Sequence, residues 1–490
     1  MNYISIYNNS SVCLKEIPEL GYEEFFNTNV EMMANRPDRH CVSYSGYIID
    51  SGVKLFCCIA DDTEHKINVS STVISHGSVL RSFTAINHNF ENFEREIHET
   101  FGIQYLDHPW LKPYRKTENY PFLRSESEEI HEVGVGPIHA GIIEPGHFRF
   151  LCNGEQIMHL EISLGYQHRG IEKLFLQKEK LIERATLAEN IAGDTTIGHT
   201  AAFANLWETL CGSGSDYSLD YARTLAMELE RVAIHTGDMS AICGDIAYQL
   251  GSAVYGRLRT PIINFMQEWC GNRLSKGLIR PGKINYPFTP ALAKRLHTLL
   301  NAYIRDFDEI SSKLSKLPSA LSRLEKTGVV TYEEVLEIGA VGMAARMSNL
   351  KRDIRQSHPF NLYGTNISHE PILKRHGDVY SRVQIRREEI CQSIEYIRKI
   401  ITEVPEFRNT EETSMVVPLD MFAISLTEGW RGEICHCAVT DHFGKLAMYK
   451  IKDPSHHNWM VLAHAVRNNE ISDFPICNKS FSLSYCGHDL

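Results

Sequence analysis

Two short stretches concentrate side chains that could hold a metal or handle protons. They are Asn190-Ile191-Ala192-Gly193-Asp194-Thr195-Thr196-Ile197-Gly198-His199 and Asp453-Pro454-Ser455-His456-His457-Asn458. His199 follows Thr195 by four residues, so the two share a face wherever that segment is helical, and Asp194 stands beside them. An imidazole next to a carboxylate can pass a proton. Two or three imidazoles with a carboxylate can instead hold Zn²⁺, or Fe²⁺ with open positions. Sulfur chemistry is less in evidence. The chain has 13 cysteines, but apart from Cys57-Cys58 and the pair Cys435 and Cys437 they are scattered, and no C-x-x-C occurs. A self-contained iron–sulfur or structural zinc site is therefore not expected, and an odd number in a chain without an export signal points to reduced thiols.

The elements that must position these groups follow from length and patterning. At 490 residues the chain exceeds what one core usually supports, so two domains are expected. Residues 1–115 mix short apolar stretches, such as Val53-Lys54-Leu55-Phe56-Cys57-Cys58-Ile59-Ala60, with turn signals, and read as a small α/β domain. Residues 116–133, with the acidic cluster Glu126 to Glu132, read as a linker, and 134–490 as the large domain. The large domain opens with a β-hairpin about Asn153-Gly154 and is mainly helical thereafter, with helices expected over Tyr166–Asn190, Ser218–Thr236, Pro290–Lys316 and Val379–Thr402. The fold class is α+β. A formal charge of −11 disfavours nucleic acid as a partner. No apolar run is long enough to span a membrane and no secretory signal opens the chain, so a cytoplasmic location is expected, with any membrane link made through partners. No G-x-G-x-x-G follows a strand, so NADH binding is not expected.

Phe93-Glu94-Arg95-Glu96-Ile97-His98-Glu99-Thr100-Phe101-Gly102-Ile103, followed by Asp107-His108-Pro109 and Leu111, resembles the signature of the 30-kDa subunit of complex I, with Glu99 and Asp107 where Asp and Gly are more usual. The large domain is similar to the large subunits of hydrogenase-4 and formate hydrogenlyase, and more distantly to the 49-kDa subunit of complex I. The matching stretches are GPIHAGIIEPGHFRF from Gly136, GYQHRGIEKL from Gly165, GLIRPG from Gly277, EGWRGE from Glu428 and FPICNKSFSLSYCGHDL from Phe474.

In that hydrogenase family two C-x-x-C pairs hold a NiFe centre, because soft thiolates suit low-valent nickel and iron. The matching positions here are Ala192, Thr195, Ser455 and Asn458, none of them a thiol. Hydrogen turnover at such a centre is therefore not expected, although Gly193, His199, Asp453 and Pro454 keep the register. The resemblance also implies a proton-transfer role for Glu172, in Arg169-Gly170-Ile171-Glu172, and roles near the former metal for Asp353 and Arg431. In the family fold the two stretches converge. His199, His456 and His457 with Asp194 could then surround a non-nickel metal, or line a polar, proton-conducting cavity. Complex I reduces quinone with a His and a Tyr, but Pro145 takes the His position and Ala192, Gly193 and Asp194 lie near the Tyr position.

The resemblance thus implies the large subunit of a membrane-associated, energy-converting oxidoreductase complex, peripheral on the cytoplasmic side of the inner membrane. Its partners would be an iron–sulfur small subunit that holds [4Fe-4S] and antiporter-like membrane subunits, with no cofactor in this chain. A catalytically silent scaffold, or a quinone-reducing subunit of the NADH-quinone oxidoreductase C/D type, are the alternatives.

Overall fold

The computed structural model describes residues 2–141, 143–214, 216–407 and 415–490. Its N-terminal part is built on an antiparallel sheet ordered Ile4–Ile6, Lys66–Ile74, Gly52–Asp61, Arg39–Ile49, with Glu19–Leu20 added in parallel to Lys66–Ile74. The helices Tyr22–Met33 and Glu91–Phe101 cover one face, where Phe25, Phe26, Phe83, Phe90 and Phe93 form a core with Leu55, Cys57 and Ile59 of the Gly52–Asp61 strand. The alternate residues Phe56, Cys58 and Ala60 belong to the core of the large domain. This strand is buried on both faces, which explains its nearly unbroken apolar sequence. Phe56 stacks on Phe422 of the large domain at 5.3 Å.

The large domain is mainly helical about Tyr217–Asp245, a 29-residue helix wrapped by Gln249–Cys270, Val379–Ile400 and Phe474–Phe481. Pro290–Leu314 and Val379–Ile400 lie where apolar spacing placed them. The helix expected over Tyr166–Asn190 is two, Ile171–Gln177 and Leu181–Ala188. Lys178 and Lys180 are extended between them, where the polar run Gln177 to Lys180 interrupts the apolar stripe. The hairpin forms from His147–Asn153 and Gln156–Ser163, but Asn153 pairs with Gln156, so the turn residues are Gly154 and Glu155. Gly154, at φ +57°, supplies the left-handed conformation such a turn requires.

Two further regions of strand depart from the sequence expectation. His131–Val135 begins inside the stretch expected to be linker, because its backbone pairs with Phe148 to Cys152 of the hairpin. Near the C-terminus the meander Met421–Glu428, Glu433–Thr440, Leu446–Lys452 forms a sheet whose fourth strand is Ser10–Cys13, from the far end of the chain. Asn8 adds side-chain bonds to the carbonyls of His358 and Leu426, both 2.9 Å. The first residues are therefore shared between the two domains. Among the described residues no helix is long and apolar enough to cross a membrane.

Candidate functional site

The first stretch leads into the Thr196–Leu210 helix, whose N-cap Thr195 makes no side-chain capping bond. A neighbour supplies the cap. The Glu230 carboxylate, from the long central helix, accepts the backbone N–H groups of Ile197 at 2.8 Å and Gly198 at 3.2 Å. Such a helix terminus favours an anion, but burial works harder in the opposite direction and pushes the Glu230 carboxyl up to about 8. His199 lies one turn in and is fully buried.

The second stretch opens the Ser455–Ala465 helix. Asp453 Oδ1 accepts the Ser455 N–H at 2.8 Å, and Oδ2 lies 3.0 Å from His199 Nε2, so the two stretches do converge. His199 Nδ1 in turn lies 3.1 Å from His436 Nε2, and His436 Nδ1 lies 2.8 Å from the Tyr449 hydroxyl. Carboxylate, two imidazoles and phenol thus form an unbroken buried hydrogen-bonded series. Burial, then the neighbouring His199, holds His436 well below the usual imidazole range. Burial alone would raise Asp453, yet its bond to His199 and the Arg431 charge bring it below the usual carboxylate range. Each link can accept on one side and donate on the other, the property proton transfer needs.

Arg431 locks the mouth of this series. Its guanidinium grips Asp194 at 2.7 and 2.5 Å in a two-pronged pair, reaches Thr195 Oγ1 at 2.9 Å, and donates from Nε to the Ser482 carbonyl at 2.5 Å. It also stacks on the Trp430 ring at 4.0 Å. The backbone is held there because Gly432 crosses Gly342 so closely that a Cβ on Gly342 would stand 2.2 Å from the Arg431 carbonyl oxygen.

The four positions that carry thiolates in the resembled family have other duties. Ala192 is fully buried and has no donor atom. The Thr195 hydroxyl belongs to Arg431, and the Ser455 hydroxyl accepts the Ser484 N–H at 2.9 Å. Asn458 clasps Val341 on both sides, accepting its N–H at 3.2 Å and donating to its carbonyl at 3.1 Å. Hydroxyls and an amide committed to structural bonds do not fit a nickel–iron centre, which needs four free thiolates.

The other expected site residues lie apart from this series. His456 Nδ1 bonds to the Tyr114 hydroxyl at 2.6 Å and its ring packs on Phe93 at 4.4 Å, both from the N-terminal part. His457 lines a cavity beside His456, and neither ring makes a bond to His199. Among the described residues no group of three or more His, Cys, Asp or Glu side chains is arranged to hold a metal. Glu172 pairs with Lys450 at 3.0 Å and accepts the Ile451 N–H at 2.9 Å; Lys450 also holds Glu96 at 2.6 Å, tying the two domains together. Asp353 sits in a buried ionic cluster with Arg346, Arg355, His369 and, through the arginines, Glu389 and Glu428. Burial would raise Asp353, but Arg355, His369 and Arg346 outweigh it and hold it well below the usual range.

Sequence reasoning found Asp194, His199 and Arg431, which the fold brings to one place, and missed Glu230, His436 and Tyr449. The one available signal was a polar His436 inside the otherwise apolar run Ile434 to Val439.

Residues 25–127 match the family described as the 30 Kd subunit of the respiratory-chain NADH dehydrogenase, and residues 251–421 match the 49 Kd subunit. The chain is 26% identical over 374 residues to hydrogenase-4 component G of Escherichia coli (strain K12), covering 76% of this chain and 64% of that protein. It therefore spans less than two thirds of that relative's length. It is also 26% identical over 421 residues to the C/D subunit of the NADH-quinone oxidoreductase of Phocaeicola vulgatus, covering 76% of this chain and 80% of that one. A chain from the structure of the membrane-bound sulfane sulfur reductase, an archaeal respiratory membrane complex, superposes with a TM-score of 0.69 at 20% identity, covering 75% of this chain and 100% of its own. That likeness establishes the shared fold.

Proposed function

We propose that this chain, a fusion of complex I 30 Kd-like and 49 Kd-like domains, serves as the large subunit of an energy-converting, membrane-associated oxidoreductase complex that works without a nickel–iron centre. The observation carrying this reading is the replacement of all four thiolate positions by structurally committed groups while the Asp453–His199–His436–Tyr449 series beside them remains continuous. In this reading an iron–sulfur small subunit that holds [4Fe-4S] packs against the vacated site. Antiporter-like membrane subunits lie below, and the assembly sits on the cytoplasmic side of the inner membrane. Electrons arriving from the cluster reduce an acceptor near Asp194, His199 and Arg431, the protons being handled through His199, and the energy released drives ion translocation.

The test is made on the intact complex purified from native membranes. Metal analysis should find iron and less than a tenth of an equivalent of nickel, taking about 0.1 as the stoichiometric cut. The reduced cluster should be reoxidised by membrane extract in wild type and more slowly in His199→Gln. Nickel near one equivalent together with hydrogen uptake would overturn the reading. A cluster that no membrane component reoxidises would leave the silent scaffold, a reading favoured by how fully Arg431 and Asp194 are engaged with one another.

A further inference from the structure

A group of unanswered polar atoms lies away from the site just described, in a cavity of about 340 Å³ at the seam between the two domains. Its walls come from the Glu91–Phe101 helix on one side and from Gln156–Ser163 and the Ser455–Ala465 helix on the other. The indole and phenol rings of Trp110, Trp459 and Tyr114 give it flat apolar surfaces. Five of its lining groups are buried without a hydrogen-bond partner: Trp459 Nε1, Arg467 Nε, His457 Nε2, His159 Nε2 and Glu91 Oε1. Trp459, His457 and Glu91 are 3%, 4% and 6% exposed, so a partner must reach them from inside the cavity. Buried polar groups left in this state are rare and costly, and several around one cavity mark it as shaped for an occupant.

The types of these atoms restrict that occupant. Indole Nε1 and guanidinium Nε can only donate, a carboxylate can only accept, and a neutral imidazole can do either. Burial lowers the His457 imidazole well below its usual range, so it is neutral. The ligand must therefore offer acceptors and donors together. Its charge must also be small: Glu161 is already neutralised by Lys112 at 2.6 Å, and Glu91 lies 3.6 Å from Arg95. A quinone has no N–H or O–H to satisfy Glu91.

We propose that this seam cavity binds a neutral bicyclic nitrogen heterocycle of the 2-amino-4-oxo type, the ring edge shared by guanine and pterins. Its ring N–H and exocyclic amine donate to Glu91, its carbonyl oxygen accepts from Trp459 and Arg467, and its faces stack on the aromatic walls. Because the walls belong to both domains, the bound ring also ties the domains together.

The experiment is calorimetric titration of the full chain with guanosine, pterin, adenosine and menadione. Guanosine or pterin should saturate one site and raise the melting temperature. Adenosine, which lacks the N–H and carbonyl pair of that edge, and menadione, which has no donor, should bind at least about tenfold more weakly. Tighter binding of guanosine identifies a nucleoside source, and tighter binding of pterin a pterin source. Glu91→Gln should weaken the preferred probe about tenfold, Trp459→Phe should weaken it severalfold while keeping the ring, and Ala463→Leu should abolish binding by filling the cavity. Absence of saturable binding by both heterocycles, or menadione binding tighter than either, overturns the proposal. Those comparisons use the unaltered chain and stay decisive if a variant fails to fold. Affinity unmoved by Glu91→Gln and Trp459→Phe alike would place the ligand elsewhere and overturn it too.

Discussion

Glu230 and Asn458 show how single buried side chains hold the backbone around the two converging stretches. Glu230 carries a helix terminus on a carboxyl that titrates at about 8, against 4.5 for an unperturbed group. The folded chain therefore binds that proton more tightly than the unfolded chain. Its contribution to stability is complete below about 4.5 and is lost as pH rises through about 8. Glu428, also raised to about 8 by burial, acts in the same direction. Glu230→Gln should flatten the fall in melting temperature across this window by about a third, Glu428 and Glu94, the latter raised by burial to about 7, supplying the remainder, as thermal melts at a series of pH values would register. Asn458→Ala should cost ~2–4 kcal/mol in denaturant unfolding, because both backbone groups of Val341 lose their partner in a buried place. Asn458→Cys should cost a similar amount. Introducing a thiol at one position thus weakens the fold without rebuilding a centre, and the pair Ala192→Cys with Thr195→Cys should show no hydrogen evolution.

Elements were legible in the sequence to the extent that their signals were local. The Pro290–Leu314 and Val379–Ile400 helices carried a long apolar stripe, with Pro290 at the first turn and Asp378 capping the second, and both lie where expected. The sheet of Met421–Lys452 did not announce itself, because its strands are buried throughout and show no alternation, and its outer strand comes from residues 10–13. The candidate site divides in the same way. Asp194 and His199 stood within a recognisable stretch, whereas His436 and Tyr449 reach His199 only through strand pairing that no local pattern encodes. The close crossing of Gly342 and Gly432 belongs to this scale too. Gly342 has φ +61° and ψ −138°, a region that residues with a Cβ avoid, and backbone fills the space where the Cβ would go. Gly342→Ala should therefore cost more than ~3 kcal/mol and displace Arg431 from Asp194; a well-folded variant with an unchanged melting temperature would contradict that placement of Arg431.

At the scale of the molecule, the apolar side chains left in water fit the proposed place of the chain in a complex. Ile138 and Ile143 stand exposed in the loop before the hairpin, and Val416, Leu419 and Phe443 stand exposed around the meander. Isolated exposed apolar residues are ordinary, but two such groups on one chain suit contact surfaces, and stable subunit interfaces bury ~2,000 Å² or more. The purified chain should bind an apolar dye and form soluble oligomers at micromolar concentration, and co-expression with its partner subunit should suppress both. A monodisperse monomer that ignores the dye would point to an independent protein.

The pairing of Ser10–Cys13 with Met421–Ile424 also sets an order of events during synthesis. The aromatic core about Phe25, Phe83 and Phe93 can close once Tyr105 has left the ribosome, since its buried members lie between Phe25 and Tyr105. The short strand beside that core must then wait, unpaired, until some four hundred further residues have been made. Through that interval the nascent chain carries an open β-edge at residues 10–13, and closing it is among the last steps of folding, so this strand becomes native long after the core that follows it in sequence.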